Sequence, residues 1–210
     1  MRVPLRPFAA ACLGLFAAAL LASGCSNSER PAAGMEPRSS APASHRVIAY
    51  GQPVPKGGGS YKVGDPYQID GQWHTPREDP GYDRTGIASY YAHDFHGRRT
   101  ANGEIFDMSA LSAAHPTLPL PSLVYVTNME NGRTLLLRVN DRGPYVNNRV
   151  IDVSRAAARY LGFETRGTAR VRVRYAGRAP LTGDDRQEQR FLARQSWFWV
   201  ALSHAPYASR

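Results

Sequence analysis

The chain has 210 residues, 26 of them Lys or Arg against 17 Asp or Glu, for a formal net charge of +9. That length holds one ordinary domain, or a small one with unstructured flanks. Its two cysteines, Cys12 and Cys25, exclude a disulfide framework. The positive charge is almost all arginine, since Lys56 and Lys62 are the only lysines. Such a balance narrows the partners to anionic ones: nucleic acid, membrane headgroups or an acidic polymer.

In chain order, Arg2 and Arg6 precede an apolar run from Phe8 to Ala22. The run falls short of the roughly 20 residues that a bilayer span needs, and reads as a signal peptide. It ends in Leu21-Ala22-Ser23-Gly24-Cys25, which resembles a lipobox with Leu one place early. Residues 1–24 are therefore expected to be removed and Cys25 to carry the lipid, palmitate included. Ordinary cleavage near Ala22 or Gly24 is the alternative and leaves a free thiol. Cys12 departs with the leader, so Cys25 is the one mature thiol, and acylation turns it into an anchor worth about 0.8 kcal/mol per buried methylene. Losing Arg2 and Arg6 takes the net charge from +9 to +7. Export argues against nucleic acid and leaves membrane headgroups and the cell-wall matrix. Ser26 after Cys25 points to the outer membrane, facing the periplasm.

Residues 25–60 are rich in Pro, Gly, Ser and Ala and read as a disordered tether. Residues 61–84 form an extension in which Asp70-Gly71 joins two short segments as a hairpin. Thr85 to Tyr91 is strand-like. Ser122–Thr127 and Thr134–Val139 are β-rich runs joined through Asn131-Gly132. Val150–Val153 is a short strand, and Ser154 caps a helix over Arg155–Leu161 that Gly162 stops. Thr168–Tyr175 alternates apolar residues with arginine, a strand with one wet face. Residues 178–210 form a tail in which Asp184–Ser203 is predicted as one amphipathic helix, packed on the barrel or lying on a membrane, with packing favoured. Short strands, tight turns and a few short helices make a mainly β fold, a small barrel with added helix.

Three loop-like stretches hold the polar residues: 95–104, then Ala113-Ala114-His115, then Asn140 to Tyr145. Cleaving a glycosidic bond needs an acid for the leaving oxygen and a group to attack the sugar carbon. Glu104 and Asp141 are the candidates, with His115 to orient or tune one of them. Each also has a plain structural reading: Asn-Gly is an ordinary turn, Asp141 can tie its own loop, and His115 can be a hydrogen-bonded loop residue. His93 and His96 match no zinc spacing, so no metal and no other cofactor is expected.

Several ordered blocks resemble the rare lipoprotein A (RlpA) family. They are Gly86–Tyr91, Phe95–Glu104, Phe106-Asp107-Met108, Ala113–Ser122, Val139–Pro144 and Arg149–Ser154. The resemblance runs from about Thr85 to Gly177. It implies a six-stranded double-psi β-barrel over residues 85–177, related to expansins and some endoglucanases, and a lyase activity as an endolytic peptidoglycan transglycosylase. It implies that Glu104, His115 and Asp141 form the active site. Among them Asp141 is read as the carboxyl that acts first as acid and then as base on the C6 hydroxyl, Glu104 as stabilising the oxocarbenium-like charge or raising its neighbour's pKa, and His115 as orienting a carboxylate. Tyr91, Thr100, Asn102 and Arg142 fall in the matched blocks as substrate contacts on peptidoglycan strands. The substrate bond would be the MurNAc–GlcNAc β-1,4 linkage, cut by internal attack of the muramyl C6 hydroxyl. An expansin-like module that holds the glycan without cutting it is the alternative. Tyr90-Tyr91-Ala92 replaces the usual Trp-Tyr-Gly, and the residues after Gly177 are too few for the SPOR domain that many members carry.

Overall fold

The computed structural model describes residues 44–146 and 148–203; the leader, Cys25 and the first part of the tether lie outside them. An antiparallel ribbon comes first, β1 (Tyr67–Ile69) and β2 (Gln72–His74). Asp70 and Gly71 turn it with φ of 49° and 79°. Both values are positive, as a two-residue turn matching strand twist requires.

The barrel follows. Its strands are β3 (Asp83–Tyr91), β4 (Ser112–Ala114), β5 (Ser122–Asn128), β6 (Thr134–Asp141), β7 (Arg149–Ser154) and β8 (Ala169–Arg178). They close in the order β3-β7-β4-β6-β5-β8, with β8 pairing back onto β3. Alternation builds the core: Ala169, Val171 and Val173 of β8 point inward, while Arg170, Arg172 and Arg174 are exposed. They meet Val124, Val126, Leu135, Leu137, Val139, Ile151 and Val153, all fully buried. The helix α1 (Arg155–Leu161) has the predicted bounds: Ser154 Oγ accepts from Ala157 N at 3.2 Å, and Gly162 ends it at φ 83°.

Three bulges break the ladders, at Val150 against β3, Asn140 against β4 and Ala176 against β5. Bulges bend a strand and re-aim the side chains beside it, and the one at Asn140 directly precedes Asp141. Ala113 and Ala114, expected in a loop, instead form the middle strand β4, paired to β6 on one side and β7 on the other. Small side chains carry little strand preference of their own, so the neighbouring strands decide.

Two other readings change. Residues 44–60 lie extended against the barrel: Val47 N donates to Gly97 O at 2.8 Å, and Ser60 N to Asn102 O at 2.9 Å. Composition misleads there because glycine serves close approach as well as flexibility. A Cβ on Gly59 would sit 2.8 Å from Glu104 Cγ, and one on Gly57 would sit 2.6 Å from Leu181 O. The tail holds two helices where one was predicted, α2 (Arg186–Ala193) and α3 (Ser196–Ser203). Tight bonds from Arg194 N to Phe191 O and from Gln195 N to Leu192 O end α2, and the chain turns there.

The turn lets both helices face the barrel. Leu192 enters the main core, Phe191 lies 5.2 Å from the Tyr125 ring, and Phe198 lies 5.8 Å from that of Tyr160. Leu192→Ala is expected to lower unfolding free energy by about 2–5 kcal/mol, read from urea melts. An unchanged midpoint would mean that the tail does not hold the barrel.

Candidate active site

Glu104 ends a turn built by its own residues. Thr100 Oγ1 donates to Asn102 Oδ1 at 2.9 Å, Thr100 N to Glu104 O at 2.8 Å, and Gly103 supplies the φ of 96°. Thr100 and Asn102 are therefore buried turn residues. The Glu104 carboxylate is 4% exposed and takes four bonds: two from Arg138 at 3.0 and 2.6 Å, one from Asn140 at 2.9 Å and one from Asn102 at 3.0 Å. Burial alone would raise its pKa, but these donors, Arg138 first, outweigh it and hold the group below its ordinary value. Glu104 is thus a fixed anion. It lines a chamber roofed by residues 54–57, where Ser112 Oγ, Arg138 Nη1, Asn140 Oδ1 and Glu188 Oε1 have no protein partner among the described residues.

Asp141 has the opposite chemistry. Its Oδ1 accepts from Ala101 N and from Arg142 N, each at 2.8 Å. No hydrogen bond reaches Oδ2 among the described residues, and the residue lines a second cavity with Tyr91, Phe95, Ala114, Tyr145, Arg149 and Asp152. Burial pushes its pKa up to about 6, against the pull of the two amides and of Arg142. A carboxyl of that kind holds its proton into the range where enzymes use acids.

His115 is placed differently from the expectation. Its Nδ1 accepts from Thr117 N at 3.1 Å and Leu118 N at 3.0 Å, so the proton sits on Nε2, which donates to Tyr82 Oη at 2.8 Å. Burial, helped by the Arg142 charge, drives its pKa to about 3. Among the described residues its ring hydrogen-bonds to no carboxylate. His115 instead reaches Asp141 through the backbone, its N–H donating to Asp141 O at 3.0 Å.

Arg142 lines the cavity, yet its guanidinium is committed to carbonyls: His115 O at 3.2 Å, Leu118 O at 2.6 Å and Val63 O at 2.6 Å. It pins the loop rather than neutralising Asp141. Tyr91 stacks on Phe106 with ring centres 4.2 Å apart, and its hydroxyl is buried. The cavity wall continues through Tyr145, which meets Tyr67 and His74 of the ribbon edge-on at 6.0 and 5.5 Å. Of the sequence candidates, Asp141, Tyr91 and Arg142 share one cavity, whereas Glu104, Thr100 and Asn102 support it from behind.

No motif in the sequence assigns a role to Arg138, Asn140, Tyr145, Arg149 or Asp152. One signal was present: Asp152 interrupts the apolar run Val150-Ile151-Val153, and a carboxylate inside a buried strand is informative. His93 and His96 do not converge; His96 Nδ1 takes the Met108 amide, and His93 faces Arg155. Among the described residues no three His, Cys, Asp or Glu side chains cluster for a metal.

The closed six-strand topology, with the Asp141 carboxyl in a cavity where β3, β4 and β6 end, defines a double-psi β-barrel protein. Residues 83–173 match the family described as "Lytic transglycolase". The chain belongs to the RlpA family. It is 52% identical over 108 residues to the "Endolytic peptidoglycan transglycosylase RlpA" of Neisseria meningitidis serogroup A, covering 51% of this chain and 45% of that protein. With the protein of the same name from Rickettsia bellii it shares 43% identity over 159 residues, 73% of this chain and 66% of that one. The chain thus spans about half to two thirds of the length of these two relatives. Among solved structures, the Streptomyces papain inhibitor aligns at 26% identity and a TM-score of 0.40, over 48% of this chain and 99% of that one.

Proposed function

We propose that the barrel cuts peptidoglycan glycan strands as an endolytic lytic transglycosylase, breaking the MurNAc–GlcNAc β-1,4 bond and leaving a 1,6-anhydro-muramic end. Asp141 carries the reading. One oxygen is fixed by two amides, and the other faces a cavity walled by Tyr91, Phe95 and Tyr145. A pKa raised to about 6 lets it protonate the leaving O4 of GlcNAc while the muramyl C6 oxygen attacks C1. The nucleophile belongs to the substrate, so no water has to be positioned. Flat aromatic faces suit the apolar faces of a pyranose ring. Glu104 acts by position: its bonds to Asn102 and Asn140 hold the turn whose Ala101 amide anchors Asp141. The names of the relatives support the same chemistry.

Purified cell-wall sacculi digested by the protein should release fragments ending in 1,6-anhydro-muramic acid, identified by mass spectrometry. New reducing ends would mean attack by water. Binding without release, even from peptide-stripped strands, would leave a glycan-holding module. The reading extends to a lipid on Cys25, facing the periplasm from the outer membrane. Cys25→Ala should move the protein from the membrane pellet to the soluble periplasmic fraction, and an unchanged pellet would place the anchor elsewhere.

A further inference from the structure

We infer that Asp152 is the second carboxyl of this site, the base that takes the C6 hydroxyl proton while Asp141 delivers its own to the leaving oxygen. The inference rests on the transglycosylase reading and assigns the half of that reaction which Glu104 is too enclosed to perform.

Register places the pair. Ala114 of β4 is the Cα partner of Asp141 on one side and of Asp152 on the other. Directly paired residues point their side chains to one face of a sheet. The two carboxyls therefore flank a methyl group, their backbones two inter-strand spacings apart, or roughly 10 Å. Both line the same cavity, with Ala114 between them and Tyr91 beside them. A large residue at 114 would fill the floor on which a sugar ring must sit.

Their anchoring is parallel but unequal. Asp152 Oδ1 accepts from Ser89 Oγ at 2.5 Å, and Arg149 Nη1 lies 3.8 Å from the same oxygen while also donating to Ser89 Oγ. Among the described residues no hydrogen bond reaches Asp152 Oδ2. Each carboxyl thus has one oxygen tied back and one left for the cavity. Asp152 has a guanidinium and a hydroxyl in support, whereas Asp141 has two neutral amides and an Arg142 whose fork is turned to carbonyls. Positive charge favours the ionised form. Asp152 is then the carboxylate and Asp141 the acid. Burial raises both above an ordinary aspartate, Asp152 against the pull of Arg149 and Ser89, which makes the first a stronger base and lets the second keep its proton.

The step balances with these two groups. The C1–O4 bond breaks and O4 takes the Asp141 proton; the C1–O6 bond forms and the O6 proton passes to Asp152. Solvent exchange afterwards returns the proton to Asp141. O4 leaves and O6 attacks on the same β face of C1, so donor and acceptor must line one cavity, as Asp141 and Asp152 do.

The test is the rate of 1,6-anhydro product formation from sacculi across pH 4 to 9 for wild type, Asp152→Asn and Arg149→Gln. Melting curves and sacculus pull-down run alongside. Asp152→Asn is expected to stay folded, to bind sacculi and to lose on the order of 10²–10⁴-fold in rate. Its remaining rate should lack the rise with pH on the acid side that a base produces. Arg149→Gln keeps the carboxylate and removes its cation, so the acid limb should move to higher pH while the alkaline limb stays. The second variant also decides the matter if Asp152→Asn does not fold. A folded Asp152→Asn enzyme that cuts within a few-fold of wild type, or an acid limb unmoved in Arg149→Gln, overturns the assignment. Wild type releasing no anhydro product overturns the transglycosylase reading instead.

Discussion

Asp141→Asn is expected to leave the barrel folded and glycan binding intact while lowering turnover on the order of 10²–10⁴-fold. The Asn oxygen can still accept from Ala101 N and Arg142 N, but the side chain has no proton acidic enough to transfer. The same change should stabilise the protein above pH 6. In the unfolded chain an aspartate ionises near 3.9, whereas folded Asp141 does so at about 6. The folded state therefore holds the proton longer, and this group's stability contribution is full below about pH 4 and lost as pH rises to about 6. Beyond that window the wild type carries a penalty on the order of 1–3 kcal/mol that the Asn variant lacks. Thermal midpoints at pH 7.5 should favour the variant, and the gap should close near pH 3.5. A variant that melts lower at pH 7.5 would mean that the charged form is the one the fold prefers. For the wild-type rate, the acid role predicts a fall as pH rises through about 6.

Glu104→Ala should act mainly through stability. It leaves the Arg138 guanidinium, itself 7% exposed, without its bidentate partner. Stranding a buried charge costs about 3–5 kcal/mol, enough to threaten folding in a barrel of this size. Linkage has the opposite sign from Asp141, because the pKa is lowered. Glu104 stabilises the fold at pH values above its ordinary range, and the contribution is lost as pH falls below that range. Replacing the pair together, Glu104→Leu with Arg138→Met, should recover most of the stability, since apolar side chains of similar volume substitute for buried ion pairs. Chemical melts of the single and double variants measure this. If the double variant melts like wild type yet releases no anhydro product, Glu104 takes part in the chemistry and not only in holding the turn.

Wherever a local signal decides the structure, the fold was legible in the sequence. Asp70-Gly71, Gly132, Ser154 and Gly162 mark a turn, a loop and both ends of a helix, and the chain obeys each. Alternation along β8 reads directly as a half-buried strand. Where tertiary contacts decide, local reading failed. Ser112-Ala113-Ala114 has no strand character until β6 and β7 flank it. Gly57 and Gly59 look like a flexible linker until Thr182 and Glu104 are seen against them. The site divided the same way. Chemistry named the carboxylates, but nothing in their spacing tells which is paired with Arg138 and which keeps one oxygen without a hydrogen bond among the described residues. For Asp141 that difference follows a bulge at Asn140, a property of the β4–β6 register.

Closure of the barrel also governs what can join it. Each of the six barrel strands has a neighbour on both sides, so none can serve as a template for a partner strand added through the backbone. The barrel resists that kind of unwanted pairing by topology, whatever its surface charge. Among the described strands, unpaired edges belong to β1 and β2, the ribbon whose Tyr67 and His74 pack on Tyr145 of the cavity wall. A protein that docks by extending one of the described sheets would therefore arrive at the ribbon beside Tyr145, where docking and the proposed glycan entry would compete for the same ground.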